Sequence, residues 1–429
     1  YGEGEMIFSF GISRALGFQD SNFQVYDMEV KDNQITFTVK HAEPARYICK
    51  HCGHPCDSYH DKESIFIHDG FWNMHKVVWK VERMRILCHC QTGYRVESMP
   101  FKSPKHFLTL RFVDFIEFTL CTKMMTVADV ARLCNLDYGI VYKIDHDVLI
   151  RLWQNAKIPD PINIAVDEKS YKKGRKYVTI VTDLDLGKVI WVSEGNSKES
   201  LDEFFKILGP ERCAKIKTIS KDLHKPYIAS CQQYIPQAIE VADSFHVVKK
   251  LNEVLDECRK ELIESSETPK AEKKILKEMN WVIRYKQENM SEKNLSKLDQ
   301  LERLNEPLYR AYLHKESFFE FFTFKPGEEK AAGNFLDEWV KDALTVPINA
   351  FQQVVGYITR HRDRIINIIT TGRSSSLSEA INRKINVIIG MAYGYHCLHY
   401  LKLKILQHCG VIGKYWTPES GPILPQNQT

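Results

Sequence analysis

The first clear pattern along the chain is an alternation of apolar and polar residues in the segment FQVYDMEVKDNQITFTVK, residues 23–40. A period of two predicts strands, and the Lys-Asp-Asn sequence at residues 31–33 predicts the turn of a hairpin between them. From residue 104 to residue 153 the apolar residues recur at intervals of three and four, which predicts helices. Pro159 and Pro161 then interrupt the pattern, and we expect a domain boundary there.

Beyond this boundary the pattern is first strand-rich and then helical. Short apolar runs predict five strands, at residues 162–166, 177–182, 189–192, 216–220 and 238–242. Helices are predicted between them, over residues 200–208 and from Pro226. Three strands, a helix, a strand, a helix, a strand and a much later helix follow the order of an RNase H-like fold. From Phe245 to about residue 369 the period is 3.6 without a convincing strand, and the last strong helix begins near Ser376.

These patterns predict a multidomain α/β protein with an RNase H-like core, in which a long helical stretch separates the last strand from the last strong helix. A β-rich zinc-binding domain and a helix-turn-helix precede this core. We assign a β-rich N-terminal domain to residues 1–100 and a helix-turn-helix domain to residues 101–158. The first part of the core takes residues 159–250, the insertion residues 251–368 and the final core helices residues 369–412. Residues 413–429 form a tail. The proline-containing polar tail predicts disorder. Residues 1–5, ahead of Met6, are interpreted as a cloning remnant rather than a signal peptide.

Composition narrows the class of protein. The 429 residues are 44% hydrophobic and 27% charged, which suits a soluble protein of several domains. No run approaches eighteen apolar residues, so we expect no membrane span and a cytoplasmic protein. A net charge of +4 permits nucleic-acid binding without arguing for it, so any DNA contact must come from local patches.

Five of the twelve cysteines fall between Cys49 and Cys90, which is unlike a disulfide framework. Cys49 and Cys52 form a C-x2-C pair, and Cys88 and Cys90 form a second pair with one intervening residue. Two close pairs predict one structural Zn²⁺ in a tetrahedron of thiolates. The alternatives are thiols without a metal, or a ligand set that includes one of His51, His54, Cys56, His60 and His89.

Residues 126–149 predict a helix-turn-helix. Thr126 suits the N-cap of a first helix with Asp129 at its third position, residues 135–138 suit a turn, and a second helix follows. A reading helix of this kind enters the major groove of DNA. The residues expected near bases or phosphates are Tyr138, Tyr142 and Lys143. The alternative is a helical hairpin that does not bind DNA.

Three carboxylates carry the candidate chemistry. Asp167 and Asp222 each end an apolar strand, where α/β sheets open into a crevice, and Glu379 lies in the first turn of the last strong helix. Such a set can hold two Mg²⁺ or Mn²⁺ ions, which activate an attacking hydroxyl and stabilise the leaving oxygen of a phosphodiester. Alternatively, the aspartates are ordinary turn residues and Glu379 completes a capping box with Ser376.

Over residues 45–408 the chain resembles bacterial insertion-sequence transposases of the ISL-three family. The matching segments are Cys49-x2-Cys52-Gly53, IAVDEK at 164–169, SKD at 220–222, ADSFHVVK at 242–249, EAINRKI at 379–385 and AYGY at 392–395. The resemblance implies a DDE triad at Asp167, Asp222 and Glu379, in an RNase H-like core with an all-α insertion. The chain departs from the family in its shortened second cysteine pair and in the residues before Glu379, where the family more often has Asn-Gly.

Asp243 and His246 fall where related transposase families carry an acidic residue or cysteine followed three positions later by histidine. We expect them to support the catalytic carboxylates or to contact the DNA strand. The alternative is a histidine that merely packs in the core of a helical region.

The resulting hypothesis is a DNA transposase. Its zinc and helix-turn-helix modules would recognise the terminal inverted repeats of a mobile element in double-stranded DNA. Its carboxylates would then direct cleavage at the ends and attack of the freed 3′-hydroxyls on target DNA. Because two ends must be cut together, we expect a homodimer or larger assembly, acting at the bacterial nucleoid. The alternative is a domesticated, catalytically silent transposase that regulates by binding DNA.

Overall fold

A computed structural model describes residues 22–90, 93–122, 125–174, 176–372, 376–392 and 395–412. Within these residues the chain forms two compact units, an N-terminal unit that ends at Asn155 and a C-terminal unit spanning Ala156–Ile412. The predicted cloning remnant at residues 1–5 and the predicted tail at residues 413–429 lie outside the described residues. No helix in the described ranges is both long enough and apolar enough to cross a bilayer.

The N-terminal unit begins with a β-rich region. Its strands are β1 Phe23–Lys31, β2 Gln34–His41, β3 Tyr47–Ile48, β4 Pro55–Cys56, β5 Asp61–Trp72, β6 His75–Leu87 and β7 Tyr94–Val96. Five of them form one sheet in the order β1-β2-β6-β5 with β7 beside β6, while β3 and β4 pair separately. The predicted hairpin is present, because β1 pairs antiparallel with β2 around Asp32 and Asn33, both with positive φ. Alternating residues of β2 face a core with Trp79.

Three helices complete this unit: α1 Leu110–Cys121, α2 Val127–Cys134 and α3 Tyr138–Asn155. The predicted cap is present at α2, where Thr126 and Asp129 form a reciprocal capping box. Asn135 ends α2 in the left-handed conformation, with φ 48°, so that the chain turns directly into α3. Val130 and Val141 are fully buried in the resulting helical layer.

The C-terminal unit is built on a mixed five-stranded sheet in the order β10-β9-β8-β11-β12. Its elements are β8 Asn163–Lys172, β9 Lys176–Asp183, β10 Lys188–Glu194, α4 Lys198–Leu208, α5 Pro210–Cys213, β11 Thr218–Lys221, α6 Lys225–Tyr234 and β12 Ile239–Ala242. β8, β9 and β10 are antiparallel neighbours, whereas β11 runs parallel to both β8 and β12. The strands are apolar because helices cover the sheet, and α4 and α6 contribute Phe204 and Tyr227 to its core.

A helical region follows β12. Its helices are α7 Ser244–Glu264, α8 Lys270–Glu278, α9 Glu292–Leu304, α10 Glu306–Phe318, α11 Glu329–Ala343, α12 Asn349–Arg360 and α13 Arg362–Thr371, and the last two helices of the unit are α14 Ser376–Met391 and α15 Leu398–Cys409. None of the described residues between β12 and α14 forms a strand, as predicted. This region has its own core, in which Tyr312, Phe318 and Phe351 are fully buried.

A buried charge network ties the helical region to the sheet. The Lys221 ammonium at the end of β11 is fully buried and lies 2.7 Å from Glu240 Oε2 on β12. The guanidinium of Arg364 on α13 donates to the same carboxylate at 2.8 Å, and the Asn367 amide donates to the Glu240 carbonyl at 2.9 Å. Since an unpaired buried charge is costly, this network fixes α13 against β12.

We expect Glu240→Gln to lower the free energy of unfolding by about 3 kcal/mol, because it leaves the buried Lys221 ammonium without its carboxylate. Urea unfolding followed by tryptophan fluorescence measures this. The control is Glu63→Gln, since the Glu63 side chain is half exposed in its pair with Arg83 and should cost less than about 1 kcal/mol.

The same network predicts a pH dependence. Burial raises the pKa of Glu240, but Arg364 and Lys221 outweigh it and hold the pKa below its usual value. The pair's contribution is therefore present above the unfolded-state pKa of about 4.3 and is lost as pH falls toward the lower folded-state pKa. If Glu240→Gln and Glu63→Gln lowered the free energy of unfolding equally, this network would not stabilise the fold as described. The same conclusion would follow if the stability of Glu240→Gln fell with pH as steeply as that of wild type.

Candidate active site and candidate metal centre

The register of the parallel strands aligns three aspartates at one edge of the sheet. Lys221 is paired with Val166 of β8 on one side and with Ala242 of β12 on the other. The residues that follow these three are Asp167, Asp222 and Asp243. The Asp243 N–H donates to the Lys221 carbonyl at 3.0 Å, which extends the pairing by one step. Because paired strands lie about 4.8 Å apart, the three aspartates stand side by side. Asp222 and Asp243 directly follow β11 and β12, whereas β8 continues to Lys172, so the prediction that Asp167 ends its strand was wrong.

Asp222 lies between Asp167 and Asp243, because β11 lies between β8 and β12, but Asp167 makes the contact with the final helices. Its Oδ1 accepts the backbone N–H of Glu168 at 2.7 Å, and its Oδ2 accepts the side-chain amide of Asn382 on α14. Burial raises the pKa of Asp167, although His246 and the Asn382 amide act in the opposite direction. Because burial disfavours the ionised form of this carboxyl group, a bound cation would stabilise its charge.

The contact with Asn382 brings the helix of Glu379 to the sheet edge. Glu379 precedes Asn382 by three residues on α14, so the two side chains lie on neighbouring positions of one helix face. The Glu379 carboxylate is nonetheless 45% exposed and forms an ion pair with Arg383, four residues further along α14. In the described residues the oxygens of Asp167, Asp222 and Glu379 do not form a group compact enough for one ion. Three like charges repel, and Arg383 gives Glu379 a closer partner.

His246 supplies a positive charge beside the aspartates. It lies on the first turn of α7, with its Nδ1 3.2 Å from Asp243 Oδ2. Burial lowers the pKa of His246, but Asp243, Asp222 and Asp167 outweigh it and raise the pKa to about 9. In the absence of bound ions, the neighbouring carboxylates therefore favour the protonated imidazole. Asp243 also caps α7 by accepting the N–H of Phe245 at 2.9 Å.

Sequence reasoning did not single out Glu168 or Asn382. The side chain of Glu168 points away from that of Asp167, as successive residues of a strand do. Burial and then the charge of Asp222 raise the pKa of Glu168, and its buried Oε2 has no hydrogen-bond partner among the described residues. A buried carboxylate oxygen without a donor fits a site for a hard cation such as Mg²⁺ or Mn²⁺. For Asn382, the only signal in the sequence is its three-residue spacing from Glu379.

The helical region forms a wall of this site through Tyr357 on α12. Burial raises the pKa of the Tyr357 hydroxyl, and the carboxylate of Asp222 adds to the effect. The Tyr227 hydroxyl of α6 lies 2.9 Å from the Thr179 hydroxyl of β9, and burial, with the charges of Glu168, Asp167 and Asp222, raises its pKa. Tyr357 and Tyr227 thus both lie near enough to Asp222 to be affected by its charge.

The second candidate centre lies in the N-terminal unit. The sulfurs of Cys49, Cys52, Cys88 and Cys90 all lie within 4.8 Å of one another. Among the described residues, these four side chains form a group whose spacing suits one metal ion. Cys49 and Cys90 are separated by 3.8 Å and Cys52 and Cys88 by 3.5 Å, in free thiols. A tetrahedron of sulfurs around Zn²⁺ at about 2.3 Å has edges of about 3.8 Å, so the spacing fits.

Local backbone geometry builds this cluster. β3 leads into the first pair, and the Gly53 N–H donates to the Cys49 carbonyl at 2.9 Å in a turn that Gly53 closes with φ 73°. The backbone N–H groups of Cys52 and His51 lower the pKa of the Cys49 thiol to about 7, which favours a thiolate. Cys56 packs against the cluster but is outside the four-sulfur group.

The three residues predicted to contact DNA all lie near the start of α3. Tyr138 is 55% exposed and stacks with Tyr142, with ring centroids 6.2 Å apart. The Lys143 side chain is exposed. A stacked aromatic pair, of which Tyr142 is partly buried, beside an exposed lysine is compatible with a surface that binds nucleic acids.

Carboxylates on adjoining strands, with a further acidic residue on a helix beside them, are typical of enzymes that cut or transfer phosphodiesters with divalent metals. The comparisons with known proteins give the same class. The sequence profile of the DDE transposases of the ISL-three family, described as "Transposase", matches residues 164–405. The chain therefore belongs to the ISL-three family of DDE transposases.

Two relatives are similar over most of their length. The transposase for insertion sequence element IS1001 of Bordetella parapertussis is 28% identical over 367 residues, which cover 83% of this chain and 87% of the relative. The transposase for insertion sequence element IS1557 of Mycobacterium tuberculosis is 30% identical over 348 residues, which cover 76% of this chain and 77% of the relative. The family resemblance stated from the short motifs is thus confirmed.

Proposed function

We propose that this protein binds the terminal inverted repeats of an insertion sequence, cleaves the strands at the ends and joins them to target DNA. The observation that carries the proposal is the alignment of Asp167 and Asp222 on neighbouring strands, with the helix of Glu379 held to Asp167 by Asn382. We further propose that the sheet with α4 and α6 is an RNase H-like core, interrupted by the helical region between β12 and α14.

In this mechanism Asp167, Asp222 and Glu379 hold Mg²⁺ or Mn²⁺. Bound there, the ions would lower the pKa of the attacking hydroxyl and offset charge on the leaving oxygen. Asn382 orients the Asp167 carboxylate, and protonated His246 offsets the charge of Asp243. For Glu379 to join the site, its side chain must exchange the Arg383 partner for the ions, which the exposed pair allows at low cost.

One set of carboxylates serves both chemical steps. Hydrolysis at the element end and attack of the freed 3′-hydroxyl on target DNA are each an in-line displacement at phosphorus. No covalent link between protein and DNA is then required. Two ends must be processed together, so the active species is a homodimer or larger assembly, which acts on DNA at the bacterial nucleoid.

We expect Asp167→Asn, Asp222→Asn and Glu379→Gln each to reduce cleavage and joining by about a thousandfold or more, while end binding stays near wild type. Each change keeps the size of the side chain and removes a charge that the divalent ions require. The losses should be non-additive, because the residues act as one site. Cleavage of labelled end-bearing duplexes in Mg²⁺ or Mn²⁺, with gel-shift binding of the same DNA, measures both effects.

The matched control is Asp160→Asn, a carboxylate in the same unit that pairs with Arg212 and Lys215 at the surface. It should leave cleavage unchanged. Near wild-type cleavage by Glu379→Gln would instead support the capping role, since glutamine also serves in a capping box. A wild-type protein that binds the ends and never cuts them would favour the DNA-binding regulator.

We also propose that Cys49, Cys52, Cys88 and Cys90 bind one structural Zn²⁺. Elemental analysis should find one zinc per chain, and chelation should expose these four thiols to alkylation, as read by mass spectrometry. Cys56, which packs against the cluster, is the internal control: Cys56→Ser should retain the zinc, whereas Cys52→Ser should lose it and destabilise the unit. Zinc retained in Cys52→Ser and lost in Cys56→Ser would show a different ligand set.

The helices α2 and α3 are proposed to form a helix-turn-helix whose second helix reads the element ends. Lys143→Ala should weaken binding to all DNA by a similar factor and reduce the salt slope by about one, as expected for a phosphate contact. Tyr142→Ala should weaken binding to the ends more than binding to unrelated DNA. Fluorescence anisotropy titrations at several salt concentrations measure this.

Lys80→Ala, which removes an exposed lysine from β6, is the control for a nonspecific loss of charge. It should change neither the affinity for the ends nor the salt slope by as much as Lys143→Ala does. Unchanged affinity and specificity in a Lys143→Ala, Tyr142→Ala double variant would reject this placement of the reading helix.

A further inference from the structure

A short loop between β7 and α1 presents basic residues at the surface of the N-terminal unit. The Ser103 N–H donates to the Leu108 carbonyl at 2.9 Å, which closes the loop. The four residues between these two are exposed or partly exposed, and we call them the basic tip: Pro104, Lys105, His106 and Phe107.

Contacts from within the loop and from the sheet hold the basic tip in place. The Lys102 ammonium donates to the carbonyls of Ser103 and His106 at 2.8 and 3.0 Å. The His68 N–H of β5 donates to the Phe107 carbonyl at 2.9 Å. A surface loop that is fixed in this way can present a side chain to a ligand with little loss of conformational entropy on binding.

The basic tip lies against the helix that is proposed to read DNA. Lys105 Nζ is 2.7 Å from Asp147 Oδ2 on α3. Asp147 is one helical turn beyond Lys143, so these two side chains share a face of α3. The side chains of Lys105 and Asp147 are 68% and 46% exposed. An ion pair this exposed contributes little to stability, so Lys105 can exchange it for another anion at low cost.

Positive charges gather around the basic tip. Burial lowers the pKa of His106, and Asp147 acts in the opposite direction. The charges of Lys105, Lys143 and Lys102 lower the pKa of His106 further. The tip and the start of α3 therefore share a positive potential, which a bound anion would reduce.

This positive region continues from the tip toward the cysteine cluster. Burial lowers the pKa of Lys102, and the charges of Lys50 and Arg83 add to the effect. Lys50 is exposed and lies within the first cysteine pair, at residues 49–52. Lys50, the basic tip and Lys143 thus occupy successive positions of one basic surface on the N-terminal unit.

We propose that the basic tip and Lys50 form a second DNA contact, on the sugar–phosphate backbone beside the groove that α3 enters. This inference rests on the proposed function, because α3 must be the reading helix. Lys105 contacts a phosphate near the one that Lys143 contacts, and Lys50 contacts a phosphate further along the duplex. Regularly spaced phosphates neutralise a row of lysines that otherwise repel one another. Such contacts fix the position of the reading helix and carry no sequence information themselves.

Ethylation interference on an end-bearing duplex tests this placement. Phosphates are ethylated at random, bound and unbound DNA are separated, and the positions at which ethylation prevents binding are read. Lys143→Ala, Lys105→Ala and Lys50→Ala should each lose interference at a different phosphate, in that order along the duplex. Each variant should also reduce the slope of log affinity against log salt concentration by about 0.9, as expected for one phosphate contact.

Four controls separate contact from folding and net charge. Lys105→Arg keeps a cation and should retain the wild-type pattern. Lys105→Ala combined with Asp147→Asn leaves the net charge unchanged, and it should still lack interference at the phosphate of Lys105. Lys80→Ala, which removes an exposed lysine from β6, should match wild type. Lys50→Ala should keep its zinc in elemental analysis, because the four sulfurs are unchanged.

Loss of interference in Lys143→Ala, with the wild-type pattern and salt slope in Lys105→Ala and Lys50→Ala, would overturn this inference alone. Recovery of the wild-type affinity and pattern in the Lys105→Ala, Asp147→Asn double variant would overturn it too, because Lys105 would then act only by balancing Asp147. A wild-type pattern in Lys143→Ala would overturn the placement of the reading helix and this inference with it. Wild-type protein that does not bind end-bearing DNA would overturn the proposed function and this inference together.

Discussion

The parallel pairing of β11 with both β8 and β12 is the constraint on which the candidate site depends. Because Lys221 is in register with Val166 and Ala242, the next residue of each strand is an aspartate at the same edge. A shift of one residue in the β8–β11 pairing would separate Asp167 from Asp222, and one in the β11–β12 pairing would separate Asp222 from Asp243. Either shift would turn one side chain to the other face. The register therefore brings together Asp167 and Asp222, which are 55 residues apart in sequence, without requiring any direct contact between them.

The buried charges behind this edge hold the register in place. Lys221 immediately precedes Asp222, is fully buried, and is balanced by Glu240 on the neighbouring strand. Arg364 joins the same carboxylate from α13, so the helical region and the carboxylate edge share one anchor. A buried ion pair contributes little to stability by itself, but it penalises any arrangement that separates its members. Such a penalty is useful where two aspartates must stay side by side.

The sequence was informative where a local pattern carries the structure. The mixed α/β class, the β-rich N-terminal region, the hairpin at Asp32 and the cysteine cluster were all predicted and are present. The contact between Asn382 and Asp167 was not predicted, because it joins positions 215 residues apart. The Glu240–Arg364 contact spans 124 residues and was missed for the same reason. No local periodicity records pairings of that kind.

If Asp167, Asp222 and Glu379 meet around divalent ions, metal-directed cleavage of the polypeptide will mark all three positions. Fe²⁺ bound in place of Mg²⁺ generates hydroxyl radicals in the presence of ascorbate and peroxide, and these radicals cut the nearest backbone. We expect cuts at three segments, around residues 167, 222 and 379, all suppressed together by excess Mg²⁺ and absent in Asp167→Asn. Cuts near residues 167 and 222 without any near residue 379 would contradict it.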